Sequence, residues 1–263
     1  MDLELRDKWA LVTGSTAGIG HAIAAALVRE GAHVIVNGRT GEAVDAAVAL
    51  LRTSSGGTAV GFAGDLSRDA DAQALVRRHP GIDILVNNLG IYEVKSFEEI
   101  TDADWLRLFE VNVLSGVRLA RLVLPRMRSR GWGRIIFISS ESAYHIPGEM
   151  IHYGMTKAAQ IAVSRGLAEV TAGSGITVNT VLPGPTRSRG VEEFVSQMAA
   201  ASGKTARGIE QEFFQTARPT SLIKRFATPE EVASMVVYVA SPVASATTGA
   251  VLRVDGGVVK SAF

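Results

Sequence analysis

The sequence contains no cysteine, which excludes disulfide cross-links and thiolate metal sites and suits a reducing cytoplasm. It has no excess of either charge. The 27 basic and 26 acidic side chains leave a net charge of +1, so no broad field exists to attract a nucleic-acid backbone. No apolar run reaches the roughly 18 residues that a membrane-crossing helix needs, and residues 1–8 carry no apolar stretch of the signal-peptide kind. Internal repeats and low-complexity linkers are absent as well. What remains is an expectation of a cytoplasmic chain that acts on neither nucleic acid nor membrane. Its 263 residues, 47% hydrophobic and 20% charged, are enough for one large core in a single domain.

Short apolar runs alternate with helical patterns along most of that length. Strands are expected at 9–12, 34–36, 59–63, 82–86, 134–138, 176–182 and 251–254. Helices are expected at 19–27, 43–51, 69–78, 102–128, 153–171 and 230–239. Short continuous apolar strands separated by helices indicate a parallel sheet covered on both faces. The predicted fold is therefore α/β: a doubly wound, Rossmann-type sheet of seven parallel strands with helices on both faces. Residues 185–226 stand apart, with two short helical stretches and no strand. An insertion of that length is usually functional.

Thr13-Gly14-Ser15-Thr16-Ala17-Gly18-Ile19-Gly20 closes the first strand and opens the first helix. In that position Gly14 makes the tight turn, Gly18 lets backbone approach a pyrophosphate, and Gly20 allows close helix–strand packing. The helix N-terminus offers free N–H groups and a partial positive charge. Tyr153 and Lys157 form a second pair, four residues apart and so on one face of a helix. An ammonium beside a phenol favours phenolate. With the positive charge of an oxidised nicotinamide added, the phenol is expected near pH 7, where it can give or take a proton.

The Gly-x-x-x-Gly-x-Gly spacing resembles that of the short-chain dehydrogenase/reductase family, and further motifs extend the resemblance along nearly the whole chain. They are Asn87-Asn88-Leu89-Gly90, with leucine where the family usually has alanine; Val111-Asn112-Val113; Ser139-Ser140; Tyr153-Gly154-Met155-Thr156-Lys157; Pro183-Gly184; and Asp255-Gly256-Gly257. The resemblance implies a nicotinamide-dependent oxidoreductase of carbonyls and secondary alcohols, similar to 3-oxoacyl-thioester reductases. It makes Tyr153 the acid/base, Lys157 its partner and Ser140, thirteen residues before the tyrosine, the substrate-oxygen holder. Asn112 would keep a water relay to the lysine. Cofactor contacts are implied for Gly14, Ser15, Thr16, Gly18, Ile19, Gly20, Asn88, Gly90, Tyr153, Lys157 and Thr186, with Asp65 and Leu66 beside the adenine. Assembly as a homotetramer through the helices at 102–128 and 153–171 is implied too. Those helices carry apolar residues on more than one side, among them Leu114, Val117, Ile161 and Leu167.

The second strand ends in Gly38-Arg39. A ribose-binding acid would stand at 38 in a strictly NAD-dependent relative, and a guanidinium at 39 can bind a 2′-phosphate. NADP(H) is thus the expected preference, with NAD(H) possible, although Ala17 stands where many NADP-dependent relatives carry a second basic residue. Phe194, Phe213, Phe214 and Phe226 suggest that 185–226 is a lid over an apolar substrate. Glu141, Glu149, Glu192 and Glu193 read as solvated charges. His145 and His152 read as pocket wall or surface, with no metal-ligand spacing. A non-catalytic dinucleotide-sensing regulator on the same fold is the alternative function. Against it, such proteins typically lose the Tyr/Lys pair that this chain keeps.

Overall fold

The computed structural model describes residues 2–52 and 57–262, without the side chains at 189, 190, 193 and 194. Seven strands form one sheet: β1 (Trp9–Val12), β2 (His33–Gly38), β3 (Thr58–Ala63), β4 (Ile84–Asn87), β5 (Gly133–Ile138), β6 (Ile176–Pro183) and β7 (Val251–Val254). Their order is β3-β2-β1-β4-β5-β6-β7, and every neighbouring pair is parallel. The doubly wound sheet expected from the alternation is the one observed.

The period of two in a strand decides which helices each residue meets. Ala10 and Val12 of β1 join Val34, Val36, Ile84 and Val86 on one face. That face is covered by α1 (Gly18–Arg29), α2 (Gly41–Leu51) and α9 (Pro229–Ala240). Leu11, Ile35, Leu85, Ile135 and Phe137 point the other way. There they meet α3 (Asp69–Arg78), α5 (Ser115–Arg130) and α6 (Ile151–Val170).

Most helices begin where a hydroxyl can satisfy the free N–H groups of the first turn. Thr40 caps α2, and Thr228 caps α9 in a reciprocal box with Glu231. Thr101 does the same with Asp104 for α4 (Asp102–Phe109). Ser188 caps α7 (Arg189–Ser202) and Thr205 caps α8 (Ala206–Thr216).

The helix expected at 102–128 is not continuous. One π-helical turn, Glu110–Leu114, separates α4 from α5. The sequence shows Asn112 between two valines there, residues that bond or crowd the backbone and weaken regular winding. Most other boundaries shift by one or two residues, the usual scatter at element ends. No helix among the described residues is long and apolar enough to cross a membrane.

Candidate active site

The sheet reverses its winding between β1 and β4, and the loops leaving the carboxyl ends of the strands meet at that point. Thr13 ties two of them: its Oγ1 accepts from Asn88 N at 2.9 Å and Leu89 N at 2.8 Å. Asn88 returns the link, with Nδ2 donating to Thr13 O at 2.9 Å and Gly14 O at 3.1 Å. Asn37, given no role by the sequence reading, accepts from Gly14 N at 3.2 Å and donates to Phe62 O and Gly64 O.

Several residues anticipated as cofactor contacts also have side chains that hold the framework together. The Ser15 hydroxyl donates to Val12 O and accepts from Asn37 N. The Leu66 side chain is 1% exposed in the core. The Asp65 carboxylate accepts from Ser67 N and Oγ, the ordinary work of a turn. Leu89, where the family usually has alanine, packs against the core and does not line the cavity described below.

Helix α1 is among the helices that lack such a cap. It starts at Ala17 with no side-chain cap and no acid in its first turn, so its leading N–H groups face outward with the positive end of the helix dipole. Gly18 has φ +57°, a conformation L side chains avoid, and a Cβ there would meet nothing nearer than Ser188 Cβ at 3.9 Å. A Cβ on Gly20 would come within 2.5 Å of Gly14 O and 2.6 Å of Asn88 Nδ2. Its close packing is thus against the two loops, not against a strand. An uncapped helix start beside an open glycine fits the pyrophosphate of a dinucleotide.

Beside this cradle lies a cavity of about 290 Å³, bordered by Ile19, Asn88, Gly90, Tyr92, Ser140, Tyr153, Lys157, Thr186, Ser188 and Val191 among others. Ser140, Tyr153 and Lys157, chosen from motif spacing, converge here. The Lys157 Nζ stands 5.5 Å from the centroid of the Tyr153 ring and donates to Ile138 O at 3.0 Å. Burial lowers Lys157 to a pKa of about 8, so the ammonium is still the main form at neutral pH. Tyr153 moves opposite to the expectation. Burial above all, then the Glu141 carboxylate and Tyr92, push the phenol well above its ordinary range. The hydrogen bond with Ser140 and the Arg218 guanidinium only partly oppose this. The lysine is not what sets this phenol in the chain by itself.

Asn112 does not line the cavity. Its Oδ1 accepts from Ile91 N at 2.8 Å, and its Nδ2 donates to Ile91 O and to Thr156 Oγ1. Its side chain holds the loop after β4 in place.

Glu141 is the clearest correction. Far from being solvated, it is 4% exposed. Its Oε2 accepts from the Ser140 hydroxyl at 2.5 Å, and its Oε1 accepts from Arg218 Nε at 3.0 Å. Nothing in residue type or spacing marks this pair, because Arg218 is 77 positions away. His152, read as pocket wall or surface, is fully buried with its ring edge-on to Trp105 at 5.8 Å, whereas His145 is exposed.

In the segment 185–226, Phe213, Phe214 and Phe226 cluster with centroids 5.0–5.1 Å apart, two of the three pairs edge-on. The side chain of Phe194 lies outside the described residues. Among the described residues, this segment presents Thr186, Ser188 and Val191 to the cavity.

Comparison with known proteins places the chain among dinucleotide-dependent enzymes. Residues 14–259 match a family model described as enoyl-(acyl carrier protein) reductase. The chain is 48% identical to the uncharacterized oxidoreductase YvrD of Bacillus subtilis, over 99% of this chain and all of that protein. It is 35% identical to a D-beta-hydroxybutyrate dehydrogenase of Cupriavidus necator, over 96% and 98% of the two chains. The structure of L-sorbose reductase from Gluconobacter frateurii, complexed with NADPH and L-sorbose, superposes with a TM-score of 0.94 at 33% identity. That match covers 99% of this chain and all of the other.

Proposed function

Since the chain belongs to the short-chain dehydrogenase/reductase family and is an NAD(P)-dependent oxidoreductase of carbonyl or alcohol substrates, we propose that it interconverts a small polar ketone and its secondary alcohol, with Tyr153 carrying the proton. The observation that carries this reading is the meeting of Ser140, Tyr153 and Lys157 on one cavity of about 290 Å³. Hydroxyls of Tyr92, Ser140 and Ser188 suit a hydroxylated substrate better than a long acyl chain. The likeness to a sorbose reductase and a hydroxybutyrate dehydrogenase supports the same class. Membership of an enzyme family removes the non-catalytic regulator as the working alternative.

When bound, NAD(P) supplies or accepts the hydride. Ser140 holds the substrate oxygen beside the phenol, its single hydroxyl proton turning from Glu141 to that oxygen when a ketone binds. In reduction, the protonated Tyr153 gives its proton to that oxygen as negative charge develops there. Lys157 stabilises charge on the phenol side and would also donate to the ribose of a bound cofactor, whose phosphates the N-terminus of α1 would hold. The segment 185–226 covers the cavity through Thr186, Ser188 and Val191, held at its far end by Arg218.

NADP(H) is the preferred cofactor in this reading. A Cβ on Gly38 would lie 2.5 Å from Thr16 Cγ2 and 3.2 Å from Val44 Cγ2, so no acid can stand there without displacing Thr16. Arg39 follows, exposed and without a bonded partner among the described residues. Arg39→Ala is expected to weaken NADPH about 10- to 150-fold while changing NADH about twofold or less. Added salt should narrow the gap. Cofactor oxidation assays with short ketones, ketoses and β-keto acids read both substrate class and preference. No turnover on any of them would refute the proposed class, and equal losses for both cofactors would refute the phosphate contact.

The assembly we propose is a tetramer paired through α5 and α6. Leu114, Val117, Ile161 and Leu167 are only half-buried in the isolated chain. Light scattering at micromolar concentration should give about four times the 27.8 kDa chain mass. A monomer mass would remove the idea.

A further inference from the structure

Gln160 takes no part in the scheme above, yet it is 1% exposed and lies directly behind the lysine. It follows Lys157 by three residues on α6, on the same face. Its Nε2 donates to the main-chain carbonyl of Asn112 at 2.6 Å, and its Oε1 accepts from Lys157 Nζ at 3.2 Å. The orientation of the amide is forced. An ammonium only donates and a carbonyl only accepts, so the amide cannot be turned round. The carbonyl is available because Asn112 sits in the π turn, whose wider winding takes carbonyls out of the regular ladder. The carbonyl of neighbouring Val111 is likewise taken by a side chain, Ser115 Oγ at 2.6 Å.

We propose that Gln160 is a positioning residue that aims the Lys157 ammonium at the reacting face and closes its rear with a fixed amide. The expectation from sequence was a water relay between Asn112 and the lysine; here a carboxamide spans that gap. The inference rests on the reading that Tyr153 and Lys157 manage the proton. Of the three N–H bonds of the ammonium, one goes to Ile138 O and one to Gln160, which leaves the third for the cavity. A carboxamide keeps its own protons. Exchange at Lys157 is therefore confined to the cavity side.

Two substitutions separate this role from simple packing. Gln160→Ala opens a gap lined by Lys157 Nζ and Asn112 O, roomy enough for a water of about 30 Å³ that can restore both bonds. Gln160→Leu fills the gap with methyl groups, leaves the carbonyl unpaired and removes an acceptor from the ammonium. The leucine variant is expected to lose about tenfold or more in kcat. The basic limb of its pH profile should move below that of the wild type. The titratable group facing the ammonium is Tyr153, its ring centroid 5.5 Å away, with Glu141, Arg218 and Tyr92 facing the phenol in turn.

The alanine variant should stay within about threefold of the wild type, since a bridging water is nearly as good as a direct bond. Its proton inventory in mixed light and heavy water should gain curvature from the added exchangeable proton. A residue that merely packs gives the reverse order, leucine above alanine, and that order overturns the proposal. Gln160→Met takes the place of the leucine variant if the latter does not fold, as judged by its melting transition. Tyr153→Phe is assayed alongside. If it keeps wild-type turnover, the underlying reading falls and this one with it. If it is inactive and the Gln160 order is reversed, only the Gln160 assignment falls.

Discussion

Tyr153→Phe is expected to lower kcat by about 10²–10⁴-fold while leaving NADPH affinity within about twofold, because only the phenolic proton is removed. The ring, its contact with the Lys157 ammonium and its edge-on contact with Tyr92 at 6.2 Å all survive the change. Direction matters for the pH dependence. Burial and the nearby Glu141 hold the phenol above its usual range, so the tyrosine starts protonated at neutral pH. Ketone reduction needs that form. Alcohol oxidation needs the phenolate, whose fraction grows with pH, so the oxidation rate of the wild type should climb across the neutral and mildly basic range. Lys157 works against this above a pH of about 8, where it begins to lose its charge. Steady-state kinetics in both directions, with cofactor binding followed by fluorescence, check these expectations. Wild-type kcat in the phenylalanine variant would refute Tyr153 as the proton carrier.

The sheet was legible in the sequence because its strands, buried on both faces, read as uninterrupted apolar runs. Val34-Ile35-Val36 and Ile84-Leu85-Val86 are examples, and helix periodicity between them points to a parallel doubly wound sheet, whose strand order comes from the structure. Tyr153, Lys157 and Ser140 were legible for a different reason: each is fixed by a local spacing or by the end of a strand. Tertiary partners leave no such trace. Glu141 looks like any surface glutamate until Arg218 arrives from the far end of α8, and a buried charge is identifiable only through its partner. The π turn escaped for a similar reason. Its carbonyls are satisfied by Gln160 from another helix and by Ser115, and no helical pattern announces that rescue. Gln160 itself could have been found, since 153, 157 and 160 fall at i, i+4 and i+7 on one helical face. A polar residue there, pointing where an apolar one would pack, was the available signal.

Replacing Arg218 by methionine should cost about 3–5 kcal/mol of folding stability, because it strands the Glu141 carboxylate in the interior. The two side chains are only 10% and 6% exposed, so solvent cannot screen or rescue the charge. Whether the pair itself adds net stability is a separate matter. Changing both residues to methionine removes the stranded charge together with the guanidinium, and should recover most of the loss. Activity should not recover in parallel. Ser140 donates to Glu141 at 2.5 Å, and in the double variant that hydroxyl has no carboxylate to fix its rotation beside Tyr153. A kcat about tenfold below wild type is expected there even though the fold is restored. The covering segment should respond as well. Arg218 pairs with Glu141 and so ties the stretch after α8 to the loop after β5, so limited proteolysis of Arg218→Met should cut first within 185–226. Cofactor and ketone together should protect the wild type there. Chemical denaturation of the two single variants and the double gives the coupling energy directly. Additive losses would mean that the two groups do not act as a pair. Full recovery of kcat in the double variant would mean that Glu141 does nothing for Ser140.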